Sequence, residues 1–104
     1  MPYSHPLTET EIEQALAALP HWEVRDDRLR KVFALPSFRA AIAFVNHVAE
    51  LAEAADHHPN ITIAYKNVTF VLTTWAAGGK ITVRDTELAG LIEELRGRDE
   101  TASG

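Results

Sequence analysis

The segment that opens at Pro36-Ser37 constrains this chain more than any other, because its apolar residues fall on two helical stripes instead of one. Phe38, Ile42, Val45, Ala49 and Ala52 repeat at the 3.6-residue period, and Phe44, Val48 and Leu51 form a second stripe beside them. A proline next to an N-cap residue type marks the start, and the pattern runs to about Ala55. A helix apolar over more than half its circumference needs more cover than one sheet face supplies. It is either the central helix of the fold or a helix at a subunit interface, where Phe44, Val48 and Leu51 would bury between subunits. Both can hold at once.

The flanking segments supply the rest of the layers. Thr8 and Glu11 have the spacing of a capping box, followed by Ile12, Leu16 and Leu19 on one helical face, which predicts a first helix stopping at Pro20. Short alternating runs at Trp22 to Val24 and Leu29 to Phe33 flank the polar Asp26-Asp27 pair, which suits a hairpin. Ile61, Ile63 and Tyr65, then Val68, Phe70, Leu72 and Thr74, alternate around Lys66-Asn67 and predict a second hairpin. Ala76-Ala77-Gly78-Gly79 reads as a flexible breaker. Thr82 and Asp85 repeat the capping-box spacing before Leu88, Leu91, Ile92 and Leu95, giving a third helix that ends near Gly97 and leaves residues 98–104 as a frayed tail. The order helix-strand-strand-helix-strand-strand-helix implies an α+β fold, a four-stranded antiparallel sheet with three helices packed on one face.

Length and composition narrow the classes of function. At 104 residues the chain, residues 1–104, reads as one domain. With 46% hydrophobic residues and no apolar run near the roughly 20 residues a spanning helix needs, it is not read as a membrane protein. A formal charge of −5, with Arg25, Arg28, Arg30 and Lys31 interleaved with Asp26 and Asp27, argues against nucleic acid as a partner. The start, Met1-Pro2-Tyr3-Ser4-His5, lacks the basic and apolar parts of a secretory signal, and cysteine is absent, so a cytoplasmic location is expected. Without thiolates, the chemistry left is that of histidine, carboxylate and aromatic groups.

Asp56-His57-His58-Pro59 stands where the second helix must end, because Pro59 biases the preceding residue away from helical geometry. Two imidazoles at a helix C-terminus, near Glu53 and Asp56, are placed to favour their protonated form and suit general acid work. They equally suit capping of the free helix carbonyls. Glu53, Asp56, His57 and His58 are also potential metal ligands, but adjacent histidines rarely point at one ion, and His5, His21 and His47 are scattered, so no metal is expected. Trp22 and Trp75 can each stack on a flat heterocycle or serve as core. Thr73-Thr74 ends the last strand, and the Gly78-Gly79 loop after it would let the chain approach a ligand closely, without any nucleotide fingerprint.

Taken together, Glu53, His57-His58-Pro59, Tyr65, Trp75 and Asp85 resemble the pattern of the pterin-4a-carbinolamine dehydratase family. Leu19-Pro20-His21-Trp22 is similar to its Leu-Pro-Gly-Trp segment, and Thr74-Trp75-Ala76-Ala77-Gly78-Gly79 to its Thr-His-x-Ala-Gly-Gly; the likeness spans roughly residues 8–96. The resemblance implies dehydration of 4a-hydroxytetrahydropterin to quinonoid dihydropterin in tetrahydropterin recycling. It implies no cofactor, a small-molecule pterin substrate and a homodimer or homotetramer. By position, His57 would be the general acid and His58 would hold the pterin. Glu53, Asp56 and Asp85 would orient rings or tune their charge, Thr74 and Trp75 would line the pocket, and Trp22 would sit at its edge. Two departures stand out: Trp75 replaces a third histidine found in many members, and one extra residue, within Lys80-Ile81, separates Gly79 from Thr82. Indole is no useful acid. The alternative is therefore a pterin-binding or regulatory interaction module with weak or no dehydratase activity; a third reading is a partner role in molybdenum cofactor metabolism.

Overall fold

The structure is a computed structural model that describes residues 5–103; the sequence readings that fall on Met1 to Ser4 and on Gly104 lie outside those residues. Thr8 closes a full capping box on α1 (Glu9–Leu16): its hydroxyl accepts from the Glu11 N–H at 3.1 Å, and its own N–H donates to Glu11 Oε1 at 2.8 Å. That backbone donor holds the Glu11 carboxyl below the usual carboxylate range. The helix stops at Leu16, short of the expected Pro20. Ala18 and Leu19 donate to carbonyls only three residues back, and His21 takes a left-handed φ of 65°. This tighter path carries Leu19 and Trp22 into the core, where each is 5% exposed.

The first hairpin joins β1 (Glu23–Arg25) to β2 (Arg28–Ala34). Asp26 and Asp27 have φ of 51° and 61°, the pair of positive values that a type I′ turn requires and that aspartate tolerates. Ser37 then caps α2 (Phe38–Ala55) by accepting from the Ala40 N–H at 3.0 Å. The second hairpin joins β3 (Asn60–Ala64) to β4 (Asn67–Leu72), and its turn falls on Tyr65-Lys66 instead of Lys66-Asn67. Register decides this: Ile61 and Ile63 pair with Phe70 and Val68 on the core face, which leaves two connecting residues and forces Tyr65 to φ 56°. The expected breaker is an ordered 3₁₀ turn, Trp75–Ala77, closed by Gly78 at φ 76°. Finally α3 (Val83–Ser103) runs past Gly97, which takes no left-handed turn and so does not end it. Residues 98–103 of the expected tail thus continue the helix.

The strands pair antiparallel in the order β1-β2-β4-β3. Leu29 and Phe33 of β2 lie opposite Leu72 and Val68 of β4, and this face meets Phe44 and Val48 of α2, Leu88 and Ile92 of α3, and the partly buried Ile12 and Leu16 of α1. Phe33, Phe44 and Phe70 meet edge to face with centroids 5.3–5.8 Å apart, which fixes α2 on the sheet. The opposite face leaves Val32, Thr62 and Ala64 exposed. Lys31 is on the core face, where its ammonium pairs with Glu93 of α3 and donates to the Pro20 carbonyl at 2.9 Å.

One expectation is overturned by this packing. Phe44 and Val48, assigned to a subunit contact, are 1% and 0% exposed inside the protein's own core, with Leu51 packed against it. Of the other stripe, Phe38, Ile42 and Ala49 are exposed, whereas Val45 packs against the core and Ala52 is buried. α2 is the central helix.

Candidate active site

Three element ends converge beside β4. The C-terminus of α2 is closed by Asp56 in the left-handed region, φ 50°, whose N–H returns to Glu53 while the His57 N–H returns to Ala52 at 3.0 Å. This is a Schellman-type end on aspartate instead of glycine. It turns the chain sharply, so His57 points inward and His58, held extended by Pro59, points out. The N-terminus of α3 brings Thr82 and Asp85. Thr74, just past β4, is tied to Lys80 by an antiparallel bridge across the Trp75–Gly79 turn.

Asp85 is 0% exposed, and His57 Nε2 lies 2.6 Å from its Oδ1. Its Oδ2 accepts from the Thr74 hydroxyl at 2.8 Å and from the Thr82 N–H at 2.9 Å. A carboxylate only accepts, so the His57 hydrogen sits on Nε2. Thr74 spends its hydrogen on Asp85, so the 2.7 Å contact between Thr74 and Thr82 runs from the Thr82 hydroxyl to Thr74 Oγ1. Thr82 Oγ1 in turn accepts from the Arg84 N–H at 3.2 Å, which caps the helix. Three donors and the first turn of α3 compensate the burial of the Asp85 charge. His57 Nδ1 keeps no protein partner among the described residues.

His57, His58, Asp56, Thr74 and Trp75 line one cavity of about 220 Å³, so five of the eight expected site residues meet there. Asp85 is behind His57, and Glu53 is at the rim, bonded to the outward His58. The two histidines therefore address two different carboxylates and do not converge on one point. Trp22 is not at the edge: it packs against Phe33 at 6.2 Å, and its Nε1 donates to Glu93 at 2.8 Å. A partly buried acceptor 71 positions away explains why it serves the core instead. Thr73, Ala76 and Arg84 also line the cavity; the sequence reading named the first two only as parts of neighbouring segments and passed over Arg84. Arg84 was detectable as the cation beside Asp85 in the first turn of α3; its guanidinium donates to the Asp56 carbonyl at 2.5 Å and so joins the two helix ends.

Residues 5–95 match the family model described as pterin 4 alpha carbinolamine dehydratase. A Chloroflexus aurantiacus protein provisionally named pterin-4-alpha-carbinolamine dehydratase is 50% identical over 91 residues, 88% of this chain and 97% of that one. A Streptomyces coelicolor protein with the same provisional name is 41% identical over 92 residues, covering 88% and 91%. A crystal structure described as transcriptional coactivator/pterin dehydratase from Brucella melitensis superposes with a TM-score of 0.82 at 32% identity, covering 86% of this chain and 97% of that one.

Proposed function

The chain belongs to the pterin 4 alpha carbinolamine dehydratase family, and from that premise we propose that it removes water from 4a-hydroxytetrahydropterin to give quinonoid dihydropterin, supporting recycling of the tetrahydropterin. One observation carries the reading: a buried His57–Asp85 pair whose remaining imidazole nitrogen is unpartnered in a residue that lines the cavity. Protonated His57 donates its Nδ1 hydrogen to the departing 4a hydroxyl as the C–O bond breaks. The electron pair of the adjacent pterin nitrogen forms the new C=N bond, water leaves, and the proton released from a pterin nitrogen restores the acid. Asp85 keeps the ring in one tautomer and offsets its positive charge. His58 and Glu53, at the rim, hold the pterin together with Asp56, Thr74 and Trp75. The test is the dehydration rate of freshly generated 4a-hydroxytetrahydropterin against the uncatalysed rate; no acceleration would sink the reading.

Trp75 favours a second reading, pterin binding without turnover. It is 68% exposed and can stack, but offers no acidic proton. The same assay, read beside pterin affinity, separates the two.

The reaction needs no metal in this reading, since His57 and His58 direct their Nε2 atoms to Asp85 and Glu53 respectively. Exhaustive chelation should leave turnover unchanged; loss restored by zinc would replace acid catalysis with metal-assisted chemistry. No helix among the described residues is long and apolar enough to cross a membrane, and we read the location as cytoplasmic. We also infer a homodimer or homotetramer. Phe38, 51% exposed, and Ile42, 36% exposed, support it as apolar surface on one face of α2. Sedimentation at tens of micromolar should give a mass above that of one chain, and a strictly monomeric mass would refute it.

A further inference from the structure

Arg28 reads in the sequence as one of several charges on a solvated hairpin. The fold puts it to a different use. Its guanidinium carbon lies 5.3 Å from the centroid of the Trp75 ring, within range of a cation–π contact. Its Nε is buried and, among the described residues, has no hydrogen-bond partner, so the aromatic face is the contact that holds this head group. Next to it in the chain, Asp27 accepts from Lys80 Nζ at 2.7 Å. The Trp75 ring also passes 3.5 Å from where a Gly79 Cβ would be. The first hairpin therefore clasps the Trp75–Lys80 loop at two points.

We propose that Arg28 is a positioning residue for the pterin pocket, fixing the Trp75 indole as one wall; this rests on the reading of the cavity as a pterin site. Trp75 is 68% exposed and sits on a short turn whose 3₁₀ segment has no side-chain cap. An indole in that position, without a brace, would lose rotamer freedom on binding a flat ring, and that cost weakens affinity. A cation already seated against the ring reduces the freedom before ligand arrives. Arg28 touches no reacting atom, so its contribution falls on binding and not on the bond-breaking step.

The test compares Arg28→Met, Arg28→Lys and Arg25→Met in the full chain. Arg28→Met should raise KM about two- to five-fold, the fold-change of an exposed cation–π contact, with kcat changed by less than about two-fold. Arg28→Lys should recover part of the loss, and Arg25→Met should leave KM unchanged. In a Trp75→His background the effect of Arg28→Met on KM should vanish. Acrylamide quenching of the free protein reports Trp75, since Trp22 is only 5% exposed, and should rise in Arg28→Met. An unaltered KM, or an equal loss in both backgrounds, overturns the proposal. Failure of the wild type to turn over sinks the dehydratase reading alone. The positioning role is then decided by fluorescence-monitored binding of a 7,8-dihydropterin, and equal affinity in wild type and Arg28→Met overturns it.

Discussion

Replacing His57 with alanine is expected to lower kcat by about 10²- to 10⁴-fold, the usual worth of a positioned general acid, with a smaller change in KM. The expectation rests on the division of labour between its two nitrogens. Nε2 is committed to Asp85, and the unpartnered nitrogen is the one left for proton transfer. His58 stands apart: its side chain is 57% exposed and bonded to Glu53, so His58→Ala should mainly raise KM. Steady-state kinetics on freshly generated carbinolamine decide the matter. Near-native kcat in His57→Ala would mean that solvent or another group supplies the proton.

The second large effect is expected at Asp85. Truncation to alanine leaves the His57 ring N–H, the Thr74 hydroxyl and the Thr82 N–H without their acceptor in a buried site, which should cost about 2–5 kcal/mol of stability. Asp85→Asn should cost less, because its amide oxygen can still accept from Thr74 and Thr82. The amide nitrogen would then face His57 Nε2 and donate to it, moving the imidazole hydrogen to Nδ1 in the neutral ring. Activity should therefore fall in Asp85→Asn by more than stability does. Urea unfolding and kcat measured on the same preparations test this. A native denaturation midpoint in Asp85→Ala would show that the network stabilises nothing, and native kcat in Asp85→Asn would remove Asp85 from orientation of the ring.

Local signals carried most of the architecture. The Thr8–Glu11 box, the Ser37 cap and the Asp26-Asp27 turn each act within a few residues, so their consequences can be read from adjacent positions. His57, Thr74 and Asp85 were also legible, although nothing in their spacing announces that they share a hydrogen-bond network. What the sequence hid depended on distant partners. Periodicity marks two stripes on α2 but not which one the sheet covers, and the Phe33, Phe44 and Phe70 cluster settles that only in three dimensions. Trp22 was open between core and pocket edge until Glu93 supplied an acceptor for its indole N–H. Tyr65 looked like a strand residue, but the inward alternation of Ile61, Ile63, Val68 and Phe70 moved the turn onto it. Arg28 and Arg84 were ordinary surface charges until the fold brought Trp75 and Asp56 beside them.

The bond between His57 and Asp85 spans 28 positions, and the whole β3–β4 hairpin lies between them. That stretch is a closed ring of chain, sealed at the His57–Asp85 hydrogen bond. A slip of one residue in the hairpin would turn Val68, Phe70 and Leu72 outward and at the same time change the length of chain available to reach Asp85. Misregistered molecules thus lose their core and the His57–Asp85 bond together, so under the proposed function a preparation's specific activity would count its correctly paired molecules.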